Sequence, residues 1–270
     1  MAPMSKVRPK ISILTATHNS RHHLGALYSS LAGQTYKDFE WLVLDGASTD
    51  GTLVYLQELA EHCPWIRFIS EPDFGCYDAL NRGLAMAEGE YYLVVGSDDA
   101  LEPHALACYA DSVRAGEPDV ILARVKKGGK VIGGFRPKLG WISHAQVFQG
   151  SHSVGMLFRK ALHLRFGTYS SRFPLLADGY FLKKMLRSGS VKFKSVDFVA
   201  GTFADDGMSS RNKLQILAET WQIQMLTERS RIIQTIVFLA KIIMRYRAVR
   251  DELSQREERR VPSAVMRSRP

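Results

Sequence analysis

Four short apolar runs alternate with segments of helical spacing in the first hundred residues of this 270-residue chain. The runs have the length of single strands and cover residues 11–16, 41–45, 66–70 and 91–96. Between the first two, Leu24, Leu27 and Leu31 recur at the spacing of one helix face. Strands that alternate with helices in this way predict an α/β fold, in which helices cover both faces of a mostly parallel sheet.

The pattern is weaker beyond residue 103. It predicts helices at 105–114 and 181–186, strands at 120–125 and 191–199, a hairpin at 126–134, a loop at 141–154, and helix from Lys213 onward. Because 46% of the residues are hydrophobic, the chain can bury a substantial core, as one large domain or as one domain with an appendage.

Polar residues follow three of the four predicted strands. Residues 17–19 (Thr-His-Asn) come after the first run, Asp45 ends the second, and Asp98 and Asp99 follow the fourth. Ligands of parallel sheets bind outside the carboxyl ends of the strands. The sequence therefore predicts one binding site at this edge of the sheet.

Asp98 and Asp99 directly follow an apolar run, and buried carboxylates are costly unless positive charge meets them. A divalent cation that carries a nucleotide diphosphate would meet this need, since hard cations bind carboxylate and phosphate oxygens together. The chain has neither a G-x-G-x-x-G motif after the first strand nor a G-x-x-x-x-G-K-[ST] motif, so a glycine-rich phosphate loop is excluded. On this motif alone, a solvated turn remains an alternative.

The cysteines and the apolar runs bear on where the protein resides. Three cysteines, at 63, 76 and 108, are odd in number and lack metal-ligand spacing, which indicates a reducing compartment. The run at 11–16 is too short for a signal-peptide core. No segment has the roughly 20 apolar residues that a membrane-spanning helix needs. We therefore expect a cytoplasmic protein.

The C-terminal region carries most of the excess positive charge. Residues 229–270 contain 11 Lys or Arg and 4 Asp or Glu, which accounts for +7 of the formal net charge of +9. Arginines follow a broad apolar helix face, which is typical of a helix that lies on an anionic membrane, here through residues 229–260 on the inner face of the cell membrane. An ordinary helix packed on the domain fits equally well. We expect no nucleic acid partner, because the tail is poor in aromatic residues and lacks a nucleic-acid motif.

Four motifs occur in an order that resembles the inverting glycosyltransferases of family 2, which have a GT-A fold. The resemblance is closest to the colanic-acid and O-antigen type enzymes that build bacterial surface polysaccharides. It is strong over residues 9–103, moderate to about 205, and absent beyond. The motifs are Thr17-His18-Asn19, Leu44-Asp45-Gly46-Ala47-Ser48-Thr49-Asp50-Gly51-Thr52, Glu71-Pro72-Asp73-x-Gly75-x-Tyr77-Asp78-Ala79-x-Asn81-x-Gly83 and Gly96-Ser97-Asp98-Asp99.

The resemblance implies a GT-A domain over residues 8–205 and a helical, basic extension over 206–270. Ala16, Thr17 and Asp45 would then wall the nucleotide base and ribose. Asp98 would contact the ribose or phosphate, and Asp99 would bind Mn²⁺ or Mg²⁺ that bridges the diphosphate.

The same resemblance places Asn19, Asp73, Asp78 and Asn81 near the nucleotide-sugar donor, with Asn81 orienting Asp78. Capping roles are equally compatible with these residues. Gly46 stands where many relatives carry a second acid.

Displacement of a nucleotide diphosphate by a hydroxyl also needs a general base. The family places this base at the start of a late helix, and Asp178 matches that position, with a helix N-cap as the alternative. His152 lies near the family's acceptor motif and is a candidate acceptor-site residue. Residues 205–210 resemble a loop that closes over the site in relatives, although a surface turn is an equal alternative.

We thus expect a metal-dependent inverting glycosyltransferase that uses a nucleotide sugar, with UDP-sugars favoured from the family's commonest use. Its acceptor would be a lipid-linked glycan or a growing polysaccharide. A non-catalytic nucleotide-sugar-binding subunit of a polysaccharide assembly complex is the main alternative. A nucleotidyltransferase is a weaker one, since residues 16–21 lack the glycine-rich basic loop that it requires.

Overall fold

The computed structural model of the chain describes residues 10–142, 147–148, 152–204 and 212–244. Within these ranges nine strands belong to one sheet: β1 (Ile11–Thr17), β2 (Phe39–Asp45), β3 (Ile66–Ser70), β4 (Tyr91–Val94), β5 (Ala100–Leu101), β6 (Val120–Lys127), β7 (Lys130–Ile132), β8 (Met156–Arg159) and β9 (Phe193–Phe203). The described helices are α1 (Arg21–Ala32), α2 (Thr52–His62), α3 (Cys76–Met86), α4 (Ala105–Arg114), α5 (Leu162–Phe166), α6 (Ala177–Ser188), α7 (Lys213–Thr227) and α8 (Arg231–Met244).

The strand order is β3-β2-β1-β4-β8-β6-β9-β5, and β7 pairs with β6. The first four strands are mutually parallel, and β6 and β9 run in the same direction as these four. The remaining three strands, β5, β7 and β8, run the opposite way. The predicted α/β fold with a mostly parallel sheet is confirmed.

The pattern of burial explains why the central strands are continuous apolar runs. All seven residues of β2 are buried, because helices cover both faces of the sheet. One face packs residues such as Ile13 and Trp41 against α1 and α4, and the other packs Leu14 and Leu42 against α3 and α6.

Two antiparallel strands were absent from the sequence prediction. β8 lies between β4 and β6, and β5 has only two residues at the sheet's edge. Such short segments give no period that distinguishes a strand from a loop. The predicted hairpin at 126–134 is confirmed as the β6–β7 pair.

Register brings the ends of the parallel strands together. Thr17 and Asp45 are paired positions on β1 and β2, and Asp45 and Ser70 are paired on β2 and β3. The N–H of Val95, just beyond β4, donates to the carbonyl of Leu14 at 3.0 Å. The segment that carries Asp98 and Asp99 therefore continues alongside the end of β1.

The two C-terminal helices pack on each other, and α7 also packs on α6. Lys183 on α6 is fully buried and forms an ion pair with Glu228, which follows α7. The rings of Trp221 on α7 and Phe238 on α8 stack with centroids 5.2 Å apart. The predicted domain boundary at 205/206 falls between β9 and α7, and the division into two domains stays a prediction. In the part of the chain that the structure describes, no helix combines the length and apolarity required to cross a bilayer.

Candidate active site

Asp45 forms the floor of the predicted site. Its side chain lies at the end of β2 in a residue only 2% exposed. One carboxylate oxygen, Oδ2, accepts hydrogen bonds from the Ser70 hydroxyl at 2.6 Å and the Ser48 N–H at 3.0 Å, and the Ser48 hydroxyl donates to the other. These neutral donors satisfy the buried carboxylate and fix its orientation without cancelling its charge.

Thr17 and Asn19 lie on the β1 side of the same floor, beside half-buried Ala16. The buried hydroxyl of Thr17 has no hydrogen-bond partner among the described residues. Asn19 adopts a left-handed backbone with φ of 51°, and its side-chain oxygen accepts the N–H of Thr49 at 2.9 Å. Asn19 thus joins two loops of the floor.

Gly46 permits a close approach by Asp73. A Cβ atom built on Gly46 would lie 2.7 Å from Oδ2 of Asp73. The other oxygen of Asp73 is held by the N–H of Gly75 at 2.8 Å. Many relatives carry an acid at position 46. Here the Asp73 carboxylate, from the loop between β3 and α3, lies beside that position instead.

The segment 95–99, here called the acid loop, carries the paired acids. Asp99 is 3% exposed, and its two oxygens accept the N–H groups of Gly96 at 3.0 Å and Ala204 at 3.1 Å. Burial, reinforced by the neighbouring charge of Asp98, raises the pKa of the Asp99 carboxyl to about 6. A Cβ on Gly96 would lie within 2.9 Å of oxygens of both acids, so this position requires glycine.

The acid loop fits a hard divalent cation in the chemistry of its donors. Asp98 is half-exposed and forms no hydrogen bond or ion pair with a described residue, and Asp99 keeps free lone pairs on both oxygens. Among the described residues, no cluster of three or more Asp, Glu, His or Cys side chains forms a complete ligand set. A cation here would therefore draw its other ligands from diphosphate and water oxygens.

Asp178 lies in the first turn of α6, inside the helix rather than at its N-cap, which is Leu176. Its Oδ1 accepts the Tyr77 hydroxyl at 2.6 Å and the Gly179 N–H at 2.7 Å. Burial raises the pKa of the Asp178 carboxyl, and the Tyr77 hydrogen bond opposes that rise. Oδ2 makes no hydrogen bond with a described residue, which leaves it able to take a proton.

Sequence reasoning missed two residues that hold Asp178. Tyr77 belongs to a recognised motif but had no assigned role. Glu219 on α7 is 4% exposed, and its Oε2 accepts the N–H groups of Leu175 at 3.0 Å and Leu176 at 2.9 Å, just before α6 begins. A lone acid within a mostly apolar helix was the available signal, but its partners lie more than 40 residues away in sequence.

Asp78 and Asn81 form hydrogen bonds to the backbone of loops around the site. Asp78 accepts hydrogen bonds from Arg82 at 2.8 Å and from the N–H of Phe74 at 3.2 Å. Asn81 exchanges two hydrogen bonds of 2.9 Å with the backbone of Tyr169. The expectation that Asn81 orients Asp78 is therefore wrong.

His152 lies against the end of β9, next to the residue whose backbone N–H binds Asp99. Its ring stacks on Phe203 with centroids 3.6 Å apart and planes 9° from parallel. The next residue is Ala204, whose N–H binds Asp99. Residues 205–210, the predicted closing loop, lie outside the described residues.

The sheet and its helices have the GT-A-type fold. The family model described as Glycosyl transferase family 2 matches residues 12–188, and the chain belongs to that family. Members of this family transfer sugar from a nucleotide-sugar donor, so the chain is an enzyme. This assignment favours catalysis over the alternative of a non-catalytic binding subunit.

Named relatives agree with this assignment. The chain is 30% identical over 212 residues to a PGL/p-HBAD biosynthesis glycosyltransferase of Mycobacterium bovis. The aligned region covers 74% of this chain and 78% of that protein. Among solved structures, S. aureus TarS 1-349 in complex with UDP-GlcNAc superposes with a TM-score of 0.63 at 19% identity, over 85% of this chain and 70% of that one. The mannosyltransferase PcManGT of Pyrobaculum calidifontis, solved with GDP-Man and Mn²⁺, has a TM-score of 0.60 at 17% identity, over 89% and 76% of the two chains.

The contact between Gly46 and Asp73 predicts a measurable coupling. Gly46→Ala should lower the free energy of unfolding by about 0.5–1.5 kcal/mol, because its Cβ would displace the Asp73 carboxylate and weaken its hydrogen bond to the Gly75 N–H. In the Gly46→Ala/Asp73→Ala double variant, much of this loss should disappear. Urea unfolding of the four proteins measures the coupling. Gly116→Ala, where a Cβ meets nothing within 4 Å, is the control, and strictly additive effects would show that the two residues do not touch.

The contacts of Glu219 predict a role in positioning Asp178. Glu219→Ala leaves two buried N–H groups unpaired, so it should cost about 1–3 kcal/mol of unfolding free energy. It should also lower kcat more than it changes the donor KM, because α6 loses its anchor beside Asp178. Glu219→Gln keeps an acceptor oxygen and should retain most activity. Glu90→Ala, at an exposed ion pair, is the control. An unchanged kcat in Glu219→Ala would rule out the positioning role.

Proposed function

We propose that this enzyme is a metal-dependent, inverting glycosyltransferase. It moves a hexosyl or N-acetylhexosaminyl group from a nucleotide sugar to a hydroxyl of a lipid-linked glycan or growing polysaccharide. The observation that carries the proposal is the register of the sheet, which sets the acid loop next to Thr17 and Asp45 at one edge.

The donor-binding side of the site lies at the ends of β1 and β2. Ala16, Thr17 and Asp45 line the space for the base and ribose there, and the buried Thr17 hydroxyl has no partner among the described residues. Asp98 reaches the ribose or phosphate side. Asp99 would hold Mn²⁺ or Mg²⁺, which withdraws negative charge from the diphosphate as it leaves. UDP-sugars remain the favoured donors on the family resemblance, while the two solved structures named above contain a UDP-sugar and a GDP-sugar.

Asp178 is the proposed general base. Its free Oδ2 takes the proton of the acceptor hydroxyl, whose oxygen then forms a bond to the anomeric carbon of the donor. The bond from that carbon to the diphosphate breaks on the opposite face, and its electron pair leaves with the diphosphate. Inversion follows from this single displacement. The raised pKa of Asp178 suits a base, and Tyr77 holds Oδ1 so that Oδ2 faces the acceptor.

The acceptor side is proposed to include His152. Its ring is fixed against Phe203 next to the backbone donor of Asp99, which places it near the acid loop. An imidazole at this point can accept a hydrogen bond from a sugar hydroxyl or donate one to it.

Asp178→Asn tests the mechanism directly. Its side-chain oxygen can still accept the Tyr77 hydroxyl, but the amide group that replaces Oδ2 cannot take a proton. Initial rates across a panel of nucleotide sugars should show kcat reduced by about 10²–10⁴-fold, with the donor KM nearly unchanged. In the wild type, kcat should fall on the acid side at a pH above 3.8, the ordinary pKa of an aspartate, because burial raises the pKa of Asp178.

The control for this test is Asp197→Asn, at an exposed ion pair between β9 and Arg124 on β6. It should retain the wild-type rate. Retained transfer in Asp178→Asn would mean that another group is the base.

A further inference from the structure

Helix α8 is apolar on its outer side as well as on its inner side. On the inner side, Val237 and Phe238 are half-buried beside Gln234, which is 4% exposed. On the outer side, Ile232 is 75%, Ile236 is 61% and Ile243 is 74% exposed. A helix on the surface of a protein in water is polar on its outer side, so the exposed isoleucines indicate that something other than water covers them.

Hydrogen bonds fix α8 in this orientation. Nε2 of Gln234 donates to the carbonyl of Trp141 at 3.0 Å, and Nε2 of Gln224 on α7 donates to Oε1 of Gln234 at 3.2 Å. Nζ of Lys241 donates to the carbonyl of Ile142 at 2.9 Å. These bonds join the inner side to the backbone of residues 141–142, so turning the helix to hide its isoleucines would break them and would expose Val237 and Phe238.

The outer face carries one continuous apolar stripe, which consists of Ile232, Ile236, Leu239 and Ile243. Their spacing of four, three and four residues keeps them on one side of the helix over about 16 Å of its length. Of the twelve large hydrophobic side chains exposed in the described ranges, six belong to α8. Such a concentration marks a docking surface rather than scattered exposure.

The charge around the stripe identifies its partner. In sequence, residues 229–250 include no Asp or Glu. Arg229 and Arg231 stand at the start of the helix, and Arg245, Arg247 and Arg250 follow its end in sequence but lie outside the described residues. Lys241 is bonded to the protein instead. The nearest preceding acid, Glu228, is already paired with Lys183 and Arg187. A second copy of this chain would bring like charges together across the stripe, whereas an anionic lipid surface offers both apolar depth and phosphate groups.

We propose that α8 lies in the plane of an anionic membrane, with the stripe inserted at the boundary between headgroups and acyl chains. Exposed Arg231, at the start of the helix, then binds lipid phosphates. This docking surface goes beyond the proposed function and does not depend on it, since membrane binding can be measured without sugar transfer.

Flotation of the full chain with lipid vesicles tests the proposal. The protein should float with vesicles in which phosphatidylglycerol replaces about a third of the phosphatidylcholine, and much less with phosphatidylcholine alone. The double variant Ile236→Asp/Ile243→Asp should lose binding by about tenfold or more, because it puts two carboxylates into the stripe. Leu164→Asp is the matched control at an apolar side chain 91% exposed on α5, and it should float like the wild type.

Light scattering on the same proteins separates the remaining outcomes. Absence of wild-type flotation, or equal flotation of wild type and double variant, would overturn the proposal. A wild-type dimer that becomes monomeric in the double variant, with no vesicle binding, would identify a second copy as the partner instead. Circular dichroism should show that both variants are folded, as expected for substitutions at exposed positions.

Discussion

Four carboxylates lie along one edge of the sheet, and within the described part of the chain no cationic side chain pairs with them. Asp45, Asp73, Asp98 and Asp99 take part in no ion pair among the described residues. The protein stabilises three of them with N–H and hydroxyl donors, which orient the charges but do not neutralise them. The nucleotide diphosphate that this family uses is itself anionic. A bound divalent cation is the simplest way for such a site to accept such a ligand.

The sheet and the C-terminal helices assemble this site from distant parts of the chain. The order of β2, β1 and β4 places Asp45, Thr17 and the acid loop side by side, and the N–H of Ala204 after β9 holds Asp99 from the other direction. Helix α7 lies beyond the part matched to the family, yet its Glu219 fixes the start of the helix that carries Asp178. If α8 docks on a membrane, the same helices connect the lipid surface to α6.

The sequence predicted the features that depend on local pattern. Parallel strands were recognisable as apolar runs, and their ends located Thr17, Asp45 and Asp99 at a common edge. Contacts between segments remote in sequence could not be predicted, because no periodicity links Glu219 to residues 175–176 or Asn81 to Tyr169. Gly46 illustrates the difference. The sequence indicated that an acid was absent there, and only the structure revealed that Asp73 fills the space.

The acids at the sheet's edge are proposed to bind diphosphate through a cation. Calorimetric titration of UDP, GDP and the corresponding nucleosides, each with Mn²⁺ and with EDTA, measures this directly. The best diphosphate should bind about tenfold or more tightly with Mn²⁺, whereas the affinity of its nucleoside should not change. Equal affinity of that diphosphate in Mn²⁺ and in EDTA would show that no cation takes part in its binding.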